Sequence, residues 1–234
     1  MISAIYQRVM GHPFVYEHVR PFVVGGVDNS PVWRQLGVEP DDVVVDVGCG
    51  TGDGLTHQTR FRAYHGFDTD PIALRAAYKR AAGRTDVHFE ERRLEAADLE
   101  RLRPSRVMLG GLLHHLSDSD VLELLSMLSQ SPGLKRVATV DPTYVAGHHL
   151  SNLFARLDRG KFPRKPEGYI SLAERANFRV VHHSLIKSHP KRGRSTFAMM
   201  GLEPAERSTV RDAPSPSRGE GTSAASRAAA RTAQ

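Results

Sequence analysis

The order of apolar and polar positions divides residues 41–203 into strand-like and helix-like segments. Valine-rich apolar runs fall at 43–47, 61–67, 87–89, 106–109 and 137–140, and two later runs, 178–184 and 195–200, also read as strands. Bounded runs of this length fit strands covered on both faces. Between them the apolar positions recur at helical spacing. Residues 71–82 open on Pro71 and carry alanines inside, a pattern that starts and sustains a helix. Residues 118–130 follow Ser117, an N-cap residue type, and continue Val121-Leu122-Glu123-Leu124-Leu125. Further helices are read at 148–158 and 168–176. Such alternation predicts an α/β fold: a Rossmann-like, doubly wound sheet of seven mostly parallel strands with helices on both faces.

The flanks differ from this pattern. Residues 2–10 and 14–24 each read as an amphipathic helix, the second broken by Gly25 and Gly26, so residues 1–40 form a helical preface. Residues 204–234 are mostly Ala, Ser, Arg, Thr, Gly and Pro, with one valine and no aromatic residue. Little apolar surface is available there to offset the entropy of ordering, and the segment reads as a disordered tail.

Composition narrows the function classes. The chain has 234 residues, 40% of them apolar and 25% charged, enough for one α/β domain of about 160 residues and not for two. No stretch approaches the roughly 18 apolar residues of a membrane span, and the N-terminus lacks a basic segment followed by an apolar run. Cys49 is the only cysteine, which excludes an internal disulfide and a cysteine-built metal site. A cytoplasmic location is the expectation. The net charge of +6 lies partly in 156–165 and 187–194. Neither stretch interleaves aromatics with its basic residues, so a solvated surface is favoured over a nucleic-acid site.

The first strand runs into Gly48-Cys49-Gly50-Thr51-Gly52-Asp53-Gly54. Glycines here allow positive φ and close approach of a ligand to the backbone. The spacing is G-x-G-x-G, and the third glycine of a dinucleotide fingerprint would fall on Asp53. A pyrophosphate wants uncompensated N–H groups at a helix N-terminus. Asp46 and Asp53 place negative charge there, which suits an ammonium or a sulfonium. Asp68, at the end of the second strand, lies 22 residues after Asp46. That is close to the roughly 20-residue interval at which an acid meets a ribose diol. Asp70 reads equally well as a ribose contact or as the cap of the helix opening at Pro71.

These residues resemble the class I S-adenosylmethionine (SAM)-dependent methyltransferases, in particular the small-molecule branch. The segment VVVDVGCGTGDG at 43–54 is similar to the family's first motif, and YHGFDTDPIAL at 64–74 looks like its second. RVMLGGLLHHLSDSD at 106–120 resembles the fourth, and LKRVATVDPTY at 134–144 looks like the fifth strand and its exit. The resemblance spans about 40–200 and makes 41–203 a SAM-binding domain. It implies cofactor contacts from Asp46, Gly48, Cys49, Gly50, Gly52, Asp68, Thr69 and Gly110. The family often carries an aspartate after its third strand that meets the adenine amino group. Here the chain reads FEERRLEAADL, and Glu95 or Asp98 takes that place.

Methyl transfer is an in-line displacement, and a general base is needed only for a protonated nucleophile. Candidate groups at the ends of strands four and five are His114, His115 and Asp141, with Tyr144, His148 and His149 nearby. The pair His114–His115 is expected to diverge, one ring packing under the loop. Adjacent histidines do not match the i, i+4 spacing of helix-borne metal ligands, so no metal is expected. The Asn-Pro-Pro-Tyr or Asp-Pro-Pro-Tyr signature used on bases and glutamine amides is missing from the fourth motif. A small-molecule acceptor is therefore favoured, with O- or C-methylation ahead of N-methylation. An RNA or protein methyltransferase, a different transfer from the same cofactor, and a non-catalytic SAM-binding protein stay open as alternatives. Within 148–169, Phe154, Leu157 and Phe162 read as an apolar wall. Arg156, Arg159, Lys161, Arg164 and Lys165 there read as anion contacts, which fits an acceptor bearing an acidic group.

Overall fold

The computed structural model describes residues 28–158, 160–188 and 194–205. The two helices read at 2–10 and 14–24, and the tail beyond 205, lie outside the described residues.

The described chain runs α1 (Ser30–Leu36), β1 (Val43–Val47), α2 (Gly54–His57), β2 (Ala63–Asp68), α3 (Pro71–Arg80), β3 (Val87–Glu91), α4 (Ala96–Leu102) and β4 (Arg106–Gly110). After a 3-10 turn at Leu113–His115 come α5 (Asp118–Ser129), β5 (Arg136–Pro142), α6 (His149–Leu157), α7 (Pro166–Arg175), β6 (Phe178–Lys187) and β7 (Thr196–Pro204). The seven strands form one sheet in the order β3-β2-β1-β4-β5-β7-β6. β1 to β5 are parallel, and β7 runs antiparallel to both β5 and β6. The doubly wound, mostly parallel sheet read from the sequence is present. β5 extends to Pro142, so Asp141 lies inside the strand rather than after it, paired in register with Ala198 of β7.

All five residues of β1 are buried because helices cover both faces of the sheet. Neighbouring positions then serve different cores, since successive strand side chains point to opposite faces. Val45 packs with Leu109, Val121, Leu125, Tyr169 and Leu202 on the face covered by α5 and α7. Val44 packs with Trp33, Leu36, Tyr64, Leu74 and Phe89 on the other face, covered by α1 and α3. Val121, Leu125 and Leu128 of α5 are fully buried, and each contributes about 2 kcal/mol by leaving water. Ser117 caps that helix by accepting from Asp120 N–H, while its own N–H is met by the Asp120 carboxylate. α1 was not read from the sequence, yet it seats Val32, Trp33 and Leu36 in the core.

Strand order reverses between β1 and β4, with β2 and β3 on one side and β5 on the other. Open α/β sheets offer a ligand crevice at the carboxyl ends of their strands beside such a reversal. The glycine loop and the turn bearing His114 and His115 both lie at that edge.

Candidate functional site

Between β1 and α2 the backbone takes positive φ at Gly48 (74°), Gly50 (53°) and Gly52 (71°). Side chains other than glycine resist that region, which explains the alternation G-x-G-x-G. Gly48 and Cys49 donate to the carbonyl of Phe67 in β2 at 2.7 and 3.2 Å, so the loop is laid across the end of the neighbouring strand. The Gly50 N–H donates to Asp68 Oδ2 at 2.7 Å, and Oδ1 of the same carboxylate accepts from Asp70 N–H at 2.9 Å. A carboxylate offers about four lone-pair positions, so Asp68 keeps acceptor capacity for a ligand's hydroxyls. Asp70 acts as a cap: its carboxylate accepts from Ile72 and Ala73 N–H at the start of α3.

Asp46 lies beneath the loop and is buried. The hydroxyl of Tyr64 donates to its Oδ2. Burial pushes the Asp46 carboxyl up to about 7, against the opposing pull of the Tyr64 hydrogen bond, and the charges of Asp68 and Asp53 push the same way. Burial also raises the Cys49 thiol well above its ordinary value, with Asp46 and Asp68 adding to the effect. Its sulfur is therefore a packing group, and only its backbone belongs to the loop's function. Asp53 at the helix start is partly compensated, with His57 Nε2 at 3.3 Å and Arg80 Nη1 at 3.4 Å.

Thr69 is exposed just past Asp68, and Gly110 closes β4 with only Met108 Cγ, at 3.9 Å, near where a side chain would project. Of the two acids weighed for adenine, Asp98 is taken up structurally. It binds Arg92 at 2.7 Å and Arg101 at 2.8 Å, accepts from Glu95 N–H at 3.0 Å, and is held well below the usual carboxylate range by the Arg92 hydrogen bonds. Glu95 is exposed at the N-cap of α4, past the end of β3.

The three candidate catalytic residues separate by exposure. His114 is buried and His115 is exposed, as expected of a pair with one ring under the loop. The rings nevertheless stay together, 4.1 Å between centroids and tilted by 43°. His114 Nδ1 donates to Asp141 Oδ1 at 2.8 Å, and the His114 backbone N–H reaches the same oxygen at 3.1 Å. On the other edge His114 Nε2 lies 3.1 Å from Oδ1 of Asp158, just after α6. Burial alone would depress the imidazole; the hydrogen bonds of Asp141 and Asp158 outweigh it and raise His114 to about 9. Asp141 is 1% exposed, so it acts on a ligand only through His114.

The segment after α6 closes over this pair. Phe162 N–H donates to the His114 carbonyl at 2.9 Å. A Cβ on Gly160 would come within 2.6 Å of that carbonyl oxygen, so only glycine fits there. Arg164 fastens the arrangement: Nη1 donates to the Leu113 carbonyl at 2.9 Å, Nη2 to the Leu116 carbonyl at 2.8 Å, and Nε to Asp118 Oδ1 at 2.8 Å. Its guanidinium is committed to the protein, contrary to the anion-contact role read from the sequence. Lys161, Lys165, Arg156 and Phe162 are exposed, and Arg159 lies outside the described residues. His148 turns to Thr196 at the start of β7, with Nδ1 3.3 Å from the hydroxyl. Asp158, Tyr64 and Trp33 escaped the sequence reading and Arg164 was given a different role in it, because each acquires its place only through tertiary contacts.

The sequence matches the methyltransferase domain family over residues 44–131. A comparison with curated proteins gives no match. Among solved structures, human N-acetylserotonin methyltransferase in complex with SAM is similar at a TM-score of 0.57 and 18% identity, covering 87% of this chain and 59% of that one. The mitomycin 7-O-methyltransferase gives 0.57 and 16%, covering 86% and 60%. The chain thus spans about three fifths of the length of these two proteins. Magnesium protoporphyrin IX methyltransferase from Synechocystis with bound SAH (S-adenosylhomocysteine) gives 0.56 and 15%, covering 87% of this chain and 99% of that one. These likenesses concern the fold, and the domain match covers the glycine loop, Asp68 and the paired histidines. Across residues 44–131 the chain is thus similar to the methyltransferase domain family, on a fold it shares with these methyltransferases.

Proposed function

We propose that this chain transfers a methyl group from SAM to a small molecule, with an oxygen or carbon acceptor favoured. The observation that carries the reading is the bond from Gly50 N–H to Asp68 Oδ2 across the glycine loop. It fixes the carboxylate beside a loop whose positive-φ glycines leave the backbone open to a ligand. The residues present fit the cofactor: Asp68 has spare acceptor positions for ribose hydroxyls, and acids rather than free basic groups surround the loop, which suits a sulfonium and disfavours a pyrophosphate.

In this reading Gly48, Gly50 and Gly52 cradle the cofactor, Asp68 holds the ribose, and Thr69, Glu95 and Gly110 line its edges. When bound, SAM supplies an electrophilic methyl carbon. The chain's own contribution is to place the acceptor in line and keep it there. Of the three candidate catalytic residues, His115 is the one an acceptor can touch; His114 and Asp141 position it from behind. Lys161, Lys165 and Arg156 are exposed cations available to an acidic group on the acceptor. The three solved structures described above carry methyltransferase names, two of them with SAM or SAH bound, which supports the donor.

Calorimetry tests the donor directly. The wild-type chain is expected to bind SAM and Asp68→Ala to lose measurable binding; a wild type without SAM binding overturns the proposal. With an acceptor in hand, Lys161→Ala raises KM if the acidic-group reading is correct.

A further inference from the structure

We propose that His114, His115 and Asp158 form a binding site for one divalent first-row transition metal ion. One ligand atom from each residue lies within 4.8 Å of the other two. His114 Nε2 and Asp158 Oδ1 are already 3.1 Å apart, near the roughly 3.4 Å that separates ligands placed about 2.1 Å from a tetrahedral ion. His115, exposed on the surface, brings its ring to 4.1 Å from that of His114.

The surroundings have the second layer that metal sites use. Asp141 Oδ1 accepts the Nδ1 proton of His114, which fixes the tautomer with Nε2 toward the site, and the same oxygen accepts the His114 backbone N–H. Asp158 Oδ1 accepts from Gly160 N–H at 3.1 Å, so the ligating carboxylate is itself oriented. Charge argues in the same direction. The side chains of His114, Asp141 and Asp158 are 5%, 2% and 7% exposed. A ligating His114 gives up its Nε2 proton, and a divalent ion then supplies the positive charge that offsets the two carboxylates held largely out of water. Two histidines and one carboxylate also leave positions open on the ion for water or an oxygen-bearing acceptor. The adjacent histidines alone did not suggest a metal, because the third ligand arrives from the far end of α6. The site shares His114 and His115 with the methyl-transfer reading, but the two fail independently, since metal and SAM binding are measured separately.

The test uses the tag-free full chain stripped with chelator and titrated with Co²⁺ and Zn²⁺. One Co²⁺ per chain is expected, with visible d–d absorption and displacement by Zn²⁺. His115→Ala and Asp158→Asn are each expected to weaken binding about tenfold or more, while His182→Ala, on β6, leaves it intact. Thermal melts establish that each variant folds, and His115→Ala decides the question if Asp158→Asn does not. Absence of Co²⁺ and Zn²⁺ binding, or binding unchanged in His115→Ala, overturns the site.

Discussion

The N–H of Gly50 donates to Oδ2 of Asp68 at 2.7 Å, joining the turn after β1 to the end of β2. Two motifs separated along the chain thereby become one rigid cradle. Asp68→Asn keeps an oxygen for Gly50 but removes the charge and half of the acceptor capacity. Hydrogen bonds to a charged group are worth about 1.5–3 kcal/mol, so SAM affinity is expected to fall by about tenfold or more. Calorimetry at fixed pH measures it. Unchanged affinity would remove Asp68 from the cofactor site.

Gly50 and Gly52 share positive φ but differ in surroundings. A Cβ at Gly50 meets nothing within 4 Å, whereas one at Gly52 would lie 3.1 Å from Ala77 Cβ and 3.3 Å from the Phe89 ring. Gly50→Ala is therefore expected to cost only the backbone strain, about 1–2 kcal/mol. Gly52→Ala adds crowding of about 1–3 kcal/mol and is the more damaging of the two. Urea denaturation ranks them. For SAM binding the order is expected to reverse relative to stability, because the open side of Gly50 is where a ligand approaches.

The sheet and the cradle were legible in the sequence because they rest on local rules. Valine runs, Pro71, the Ser117 cap and glycine spacing each act within a few residues. Asp68 was readable from its interval after Asp46. The bonds of His114 were not: Asp141, read as a candidate in its own right, comes from the fifth strand and Asp158 from the end of α6, and no periodicity links either to the histidine. Arg164 shows the same limit. Its charge suggested an anion contact, but three carbonyls and Asp118 take its donors. α1 was missed because SPVWRQL is only seven residues long, too short for helical spacing to show.

Asp46 gives a pH prediction. Its carboxyl is raised from 3.8 to about 7 in the folded chain, so between those values the folded state holds a proton that the unfolded state has released. Stability from this group is present at the acid end and is lost as pH rises toward 7, by at most about 4 kcal/mol. Asp46→Asn removes that dependence while leaving an acceptor for Tyr64. Chemical denaturation at pH 5 and pH 8 is expected to show a larger loss in the wild type than in the variant. Equal losses would mean that Asp46 is charged throughout.

Arg164 ties the segment after α6 to the turn that carries the paired histidines. Its guanidinium spans the Leu113 and Leu116 carbonyls and Asp118 while stacking 5.5 Å above the Tyr169 ring. Removing it leaves two partly buried carbonyls without these donors, and Arg164→Ala is expected to destabilise the chain by about 3 kcal/mol. Lysine carries the same charge but presents it at one point, so Arg164→Lys cannot reach both carbonyls and Asp118 together and recovers less than half of the loss. The damage is also local. Amide exchange at His115 and Leu116, whose N–H groups donate to Leu112 and Leu113, is expected to quicken in both variants. Exchange in β1, held by the sheet, is expected to slow or quicken only with global stability. If the turn exchanges no faster than the sheet, Arg164 supports the fold as a whole rather than the histidine turn.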